Sequence, residues 1–463
     1  MVSIDPTAAP ARSSDTSAFY RAAWRWHFYA GLYVIPFFAI LALTGMTMLW
    51  IAFLGGRDGE RIPVVPQEAP LAVSVQADAA LAAVYDSVLV QYVAPRAADR
   101  AAVFRVDVDG RATMVAVDPY TAQVVQTWPR RSGWYDLADN IHSDLLLGVT
   151  GDRMLEIAAS LGMVLIATGL YMWWPRDGGW RRALVPSFKG GRSAWKSLHG
   201  SIGLWISVVL VFFLLSGLSW SGVWGEKMVQ AWSQFPAEKW DNVPLSDKTH
   251  GSMNNGPKDV PWALEQTPMP ASGSAAGTPA AQASPDIDSI DALARRIGFD
   301  GRYQMNLPSG ANGVWTLARD SMNNDSVSPT ADRTTHIDRF TGNILADVRY
   351  DDYSWAGKAM AVGIALHMGT LGIWSVLANT LFCLCVLTLC LTSVVMWWKR
   401  RNGNGLRLAA PPLPRDMPLW KGAVVVGLAV SLAFPMAGLT LLAVLALDAL
   451  VIRRIAPLKR LLS

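Results

Sequence analysis

Charge and cysteine are both scarce in this sequence. Only 16% of its 463 residues are Asp, Glu, Lys or Arg, while 52% are hydrophobic. A chain of this length with so little charge does not read as soluble; it reads as a polytopic membrane protein. The formal net charge of +4 is too small to point to nucleic acid as a partner. Cys383, Cys385 and Cys390 are the only cysteines, and they share one apolar run. That excludes a disulfide framework and a zinc site of the usual spacing, and leaves them as small apolar core residues. No G-x-G-x-x-G lies between a strand and a helix, so a flavin or nicotinamide fingerprint is missing. The first 20 residues are polar and lack the charged, apolar and cleavage regions of a signal peptide. The first apolar run is therefore expected to be an uncleaved span.

What the chain has is long apolar runs and 21 Trp, a residue that concentrates where membrane meets water. A membrane helix needs about 20 mostly apolar residues. Runs near 27–53, 154–174, 199–223 and 374–398 meet this. Residues 419–452 hold Pro435 and Gly438 near their middle and read as a helical hairpin, which makes six spans. Lys and Arg gather after the second span (Arg176, Arg181, Arg182, Lys189, Arg192, Lys196), after the fourth (Lys399, Arg400, Arg401, Arg407, Arg415, Lys421) and at both ends of the chain. All fall on one side if the spans alternate, and that side is cytoplasmic by the positive-inside rule. The expected order is a tail (1–23), span one (24–53), an outer segment (54–150), span two (151–175), a cytoplasmic loop (176–196), span three (197–224), a second outer segment (225–366), span four (367–398), a loop (399–418), the hairpin (419–452) and a tail (453–463).

Each outer segment reads as a small α+β module. In the first, a helix over 75–93 precedes a hairpin turning at Asp109-Gly110 and a third strand, AQVVQTW. In the second, residues 253–285 are rich in Pro, Ser, Ala and Gly and read as a linker. A helix over 290–297 and strands near 304–307, 313–318, 334–338 and 343–348 follow.

The chain repeats itself. His27, Gly31 and Leu32 match His199, Gly203 and Leu204, and Leu43-Thr44-Gly45 matches Leu215-Ser216-Gly217 at the same offset. VDPYTAQVV (117–125) matches IDRFTGNIL (337–345). Ile141-His142 and Leu366-His367 precede spans ending in Met172-Trp173-Trp174 and Met396-Trp397-Trp398. The expected fold is thus a polytopic α-helical membrane protein with an internal duplication and two outer α+β modules.

Four of the six His occupy repeat positions. The expected topology puts His27 and His199 at inner helix ends, and His142 and His367 at the outer ends of spans two and four. One such His is ordinarily an interfacial residue; four at repeat positions point to ligands. Two imidazoles facing across an apolar bundle can clamp a haem iron. Gly31 and Gly203 would let the macrocycle approach, and Arg21, Arg25, Arg192 and Lys196 could pair with its carboxylates. His250 and His336 have no repeat position. Zinc or copper would recruit further ligands at short spacing, and no such cluster stands in the sequence. Trp134, Tyr135, Tyr353 and Trp355 flank the outer His and read as a substrate surface.

These features together resemble the PepSY-associated transmembrane family, also called iron-regulated membrane proteins. They are W-R-W-H-F-Y-A-G-L, the D-x-[YF]-T turns at Asp118 and Asp338, the outer His and the Met-Trp-Trp ends, over about residues 20–400. The resemblance implies a multi-pass protein of the bacterial inner membrane with both termini cytoplasmic and with PepSY modules in the periplasm. Members similar to the inner-membrane ferrioxamine B reductase bind haem and reduce ferric siderophores. It implies two haems b, with His27, His199, His142 and His367 as iron ligands, no further catalytic residue, a ferric siderophore as periplasmic partner, and a separate cytoplasmic or quinol electron donor. Two alternatives stand beside this: a quinol-linked cytochrome b-type subunit serving another periplasmic acceptor, and a non-enzymatic PepSY regulatory protein.

Overall fold

Apolar sequence of sufficient length satisfies its own backbone only as helix when no water is present, and the long apolar runs are helical over most of their described residues. The computed structural model describes residues 12–57, 59–175, 179–230, 233–254, 260–280, 285–401, 408, 410, 421–447, 450 and 454–455. In chain order the first half holds α1 (Arg12–Gly55), α2 (Val73–Ala83), β1 (Val88–Val93), β2 (Ala102–Val108), β3 (Arg111–Val117), β4 (Val124–Pro129), α3 (Trp134–Asp144), α4 (Val149–Trp173) and α5 (Trp180–Leu184). The rest holds α6 (Gly191–Leu218), β5 (Leu245–Thr249), β6 (Pro268–Pro270), α7 (Ile287–Arg296), β7 (Gln304–Asn306), β8 (Val314–Arg319), β9 (Arg333–Asp338), β10 (Ile344–Arg349), α8 (Trp355–Met368), α9 (Ile373–Arg400), α10 (Lys421–Ala433) and α11 (Pro435–Leu447). Among the described residues, four helices are long and apolar enough to cross a membrane: Ala18–Gly55 within α1, then α4, α6 and α9. Of the basic residues used to orient the chain, Arg176, Arg407, Arg415, Arg453, Lys459 and Arg460 lie outside the described residues.

The chain divides into two compact units: residues 1–45, 140–228 and 381–463, and residues 46–139 and 229–380. The first is helical. Gly162 of α4 lets Phe38 of α1 and Leu214 of α6 approach; a Cβ there would stand 2.6 and 3.0 Å from them, which is how small residues bring apolar helices together. Phe213 of α6 stacks on Phe382 of α9 at 4.3 Å. Acidic residues inside α4 have a structural role. The Glu156 carboxylate accepts from the backbone N–H of Val223 and Trp224 at 3.1 and 2.9 Å, and Asp152 accepts from Gly222 at 3.1 Å. They cap the turn that follows α6, whose donors would otherwise be orphaned. The repeated Trp residues also act alike. The Trp173 indole donates to the Ala183 carbonyl at 3.0 Å, and that of Trp397 to Leu408 at 2.9 Å.

The second unit holds an eight-stranded sheet in the order β10-β9-β8-β7-β1-β2-β3-β4, antiparallel throughout. Two separate modules were expected. Instead β1 pairs with β7, Gln91 opposite Asn306, and the outer segments share one sheet. The reason is the composition of Val88–Val93: VLVQYV is β-branched and aromatic and takes a central strand position, not the end of the helix expected over 75–93. One face of the sheet, with Tyr92, Phe104, Val115, Leu317 and Ile337, is buried under α2 and α7. The helices are tied by the Ser74 N–H donating to Asp288 at 2.9 Å, and Asp286 caps α7 by accepting from the Ser289 N–H at 2.8 Å. β2 and β3 turn at Asp109-Gly110, both with positive φ, as the hairpin reading required. The two D-x-[YF]-T turns are hydrogen-bonded alike. Asp118 accepts from the Tyr120 N–H and Asp338 from the Phe340 N–H, at 2.9 and 2.7 Å.

Residues 253–285, expected to be a linker, are packed where they are described. Leu264 and Thr267 are fully buried, β6 pairs with β5, and the Gly273 N–H donates to the Asp338 carboxylate at 2.7 Å. Composition hid this, because a few apolar side chains (Val260, Trp262, Leu264) anchor a segment otherwise poor in them. A second correction concerns the outer His. They lie on α3 and α8, short helices set off from spans α4 and α9 by left-handed residues: Leu145, Leu146 and Gly148 in one case, Gly369 and Gly372 in the other.

The shared sheet is tested by a disulfide. Gln91→Cys with Asn306→Cys should cross-link on mild oxidation, joining the two outer segments after proteolysis between them. Failure to cross-link in the folded protein would exclude the β1–β7 pairing.

Candidate functional site

Three of the four repeat-positioned His are seated in one way. His27 Nδ1 lies 2.9 Å from the Thr168 hydroxyl, His199 Nδ1 2.9 Å from that of Thr392, and His142 Nδ1 2.9 Å from that of Thr44. Each hydroxyl has one proton to give, and each gives it to a carbonyl of its own helix. Thr168 donates to Val164 at 2.7 Å, Thr44 to Ile40 at 2.8 Å and Thr392 to Leu389 at 3.0 Å. Toward the ring the threonine oxygen can therefore only accept. Nδ1 carries the hydrogen, and Nε2 keeps its lone pair. A backbone carbonyl beside each threonine also accepts from the ring, Leu165 at His27, Leu389 at His199 and Leu41 at His142, which again puts the hydrogen on Nδ1. A neutral imidazole held by Nδ1–H with Nε2 exposed is the form that ligates a metal.

The rings of His27 and His199 are brought together, their centres 6.3 Å apart and their planes at 85°. Glycines make room for the seats. A Cβ at Gly169, next to Thr168, would stand 3.2 Å from His27 Cε1, and one at Gly45, next to Thr44, 3.3 Å from His142 Cε1. A Cβ at Gly31 would meet nothing within 4 Å, and one at Gly203 only Leu389 at 4.0 Å. Neither glycine is needed for packing among the described residues. Of the basic residues considered beside His27 and His199, Arg25 stacks on Tyr29 at 4.9 Å, while Arg192 and Lys196 are exposed and Arg21 is half-buried.

His142 and His367 belong to different units. His367 sits on the last turn of α8, and the Asn379 amide donates to the carbonyls of Leu366 and His367 at 2.8 and 3.1 Å. Of the four aromatics read as a substrate surface, Trp134 and Trp355 are exposed, but Tyr353 is buried in an apolar cluster with Trp240 and Leu264. No group of three or more His, Cys, Asp or Glu able to hold a metal occurs among the described residues.

Sequence reasoning overlooked Thr168 and Thr392, although each stands four residues before a repeated Met-Trp-Trp. It also passed over His250 and His336, 86 residues apart yet joined through their Nε2 atoms at 2.8 Å and fully buried. His250 Nδ1 bonds the Thr267 carbonyl at 2.8 Å. A carbonyl only accepts, so the proton is on that Nδ1. His336 must then donate from Nε2, and its Nδ1 accepts from the Thr316 hydroxyl at 3.0 Å. Both rings are neutral. Burial pushes the His250 pKa down to about 4; burial and the neighbouring His250 push that of His336 well down. This pair pins the segment around Thr267 to β9.

Membrane-length helices carrying histidines seated on threonines define a multi-pass membrane protein with a paired-imidazole site. The family described as PepSY-associated TM region matches residues 24–400, and the chain belongs to that family. No curated protein matches it.

Two expectations follow. Thr168→Val removes the threonine acceptor of the His27 Nδ1–H and leaves it the Leu165 carbonyl alone, at a cost of about 1 kcal/mol, while Thr168→Ser keeps the bond. Thermal melting of the purified protein should separate the two variants, and equal melting would exclude the seat. For the buried pair the sign is fixed by the lowered pKa values. The unfolded chain takes up protons below about pH 6.5 and the folded His250 only near 4. Stability therefore falls as pH drops through that window, by about 3 kcal/mol for His250 alone. The melting temperature should decline less steeply between pH 7 and 5 in a His250→Leu/His336→Leu double variant; an unchanged slope would contradict the neutral pair.

Proposed function

We propose that the chain is a di-haem reductase of the bacterial inner membrane. It carries electrons from a cytoplasmic or quinol donor to a ferric siderophore in the periplasm and releases Fe(II). The observation that carries the reading is the His27–His199 pair, two rings 6.3 Å apart, each fixed by a threonine so that Nε2 is left to bind. Two neutral imidazoles brought this close, each with a free ring nitrogen, would hold a haem iron between them. Two ligands suit haem, whose macrocycle fills the other positions, and they do not suit zinc, which takes four. On this reading His142 and His367 hold the second haem, and the halves are a duplication. The like D-x-[YF]-T turns support the duplication, and the basic loops support cytoplasmic termini.

Haem iron supplies the one-electron chemistry. The chain's own groups then have simple tasks. Thr168, Thr392 and Thr44 hold the ring tautomers, and Gly169 and Gly45 admit the rings. The apolar spans keep water away. Reduction frees the metal because siderophore oxygens are hard donors matched to Fe(III), and they hold Fe(II) far more weakly.

The purified protein should show a low-spin Soret band and two haems per chain by pyridine haemochrome. His27→Ala should lose one of the two. A colourless protein expressed with ample haem would sink the reading, and loss of both haems or of neither would sink the pairing.

A further inference from the structure

Opposite the face covered by α2 and α7, the eight-stranded sheet carries an open cavity of about 920 Å³, mouth included. Five guanidiniums line it: Arg57, Arg105, Arg130, Arg131 and Arg302. The carboxylates of Asp136 and Asp320 share the lining. Two more stand behind it, Asp325 bonded to Arg302 at 3.0 Å and Asp107 to Arg105 at 2.7 Å. Five cations against four anions leave a positive balance. Each guanidinium carries its N–H groups in a fork matched to carboxylate or phosphate.

A second observation is independent of the charges. Thr334 lines the same cavity, is 1% exposed, and its hydroxyl has no hydrogen-bond partner among the described residues. Its neighbours are internally satisfied. The Gln91 amide donates to Gln304 and Asn306 at 2.9 Å each, and Gln304 donates to Asp325 at 2.9 Å. A buried hydroxyl left unpaired is costly to stability, and a bound oxygen ligand relieves that cost.

We infer that this cavity is a binding site for a small polyanion with carboxylate-type oxygens. Resting on the reductase reading, the ferric chelate taken is then an anionic, carboxylate-bearing one and not a cationic hydroxamate. The anion is held by guanidinium forks on one side and by the Thr334 hydroxyl on the other. A cationic chelate meets like charge across the lining.

The test uses the full chain in nanodiscs and gallium(III) citrate, which accepts no electron, read by isothermal titration calorimetry. Gallium citrate should bind, more weakly as salt rises. Arg130→Gln should weaken it about tenfold or more. Thr334→Val should weaken it by about five- to tenfold, with Thr334→Ser close to wild type. The gallium complex of ferrioxamine B, which is cationic, should not bind. No citrate binding, or equal binding by wild type and Thr334→Val, would overturn the inference. Should Arg130→Gln fail to fold, the Thr334 pair decides alone. Inorganic phosphate displacing citrate at equal or better affinity would overturn the assignment to a carboxylate chelate. Because gallium takes no part in redox, the outcome is independent of haem, and the Soret band of the same preparation reports separately on the reductase reading.

Discussion

A threonine hydroxyl in a helix has one proton, and here that proton is already committed to a carbonyl of the preceding turn. Everything at the paired-imidazole site depends on this. The oxygen facing the histidine can only accept, so the tautomer is set by the helix and not by solvent. In apolar surroundings an imidazole N–H without a partner is expensive, which makes the alternative tautomer unfavourable even before any ligand is present. The arrangement is also reciprocal. α1 sends His27 to Thr168 of α4, and in return Thr44 of α1 takes His142 from the helix just before α4. Two helices thereby fix each other's register. A one-residue slip turns a helix by about 100° and would break both seats together. Glycines at 45, 162 and 169 are where this closeness is paid out in volume, since side chains there would meet His142, Phe38 and His27.

The same device recurs between α6 and α9, where His199 rests on Thr392. Its repetition explains why the rings at 27 and 199 arrive as an opposed pair. Each is immobilised from behind by its own partner helix, so the separation between them is held by backbone packing. A site that needs two ligands at a set distance gains from this, because little side-chain freedom is left to lose when a ligand binds.

Much of this could be read from the chain. The four long helices follow from apolar length, and the D-x-[YF]-T turns follow from residues with strong local preferences. The four histidines were found through repetition. What escaped the reading was non-local. Thr168 and Thr392 look like ordinary span residues until the helix facing them is known. His250 and His336 have no shared motif; only the fold brings them to 2.8 Å. The segment at 260–280 has the composition of a linker, yet Leu264 and Thr267 are fully buried, because a handful of anchors and one histidine bond are enough to fix a Pro- and Gly-rich chain. Val88–Val93 was read as the end of a helix, since an apolar run has no period that separates a buried strand from a buried helix.

The union of the outer segments in one sheet has a physical reason of its own. In a half-sheet of β1 to β4, β1 would be an edge strand, with Tyr92 and Val93 on it and a row of unpaired backbone groups. Such an edge invites aggregation. In the half formed by β7 to β10, the exposed edge would be β7, only three residues long. Pairing β1 with β7 closes both liabilities at once, and Ser74 with Asp288 ties the covering helices across the same seam. The seam also brings Gln91 beside Gln304 and Asn306, so the polar face becomes continuous only when both halves are present. Neither half alone would hold the arginines of β2 and of the segment entering β7 around one cavity. Joining the two outer segments in one chain is thus required first by backbone hydrogen bonding, and the wide polar surface follows from it.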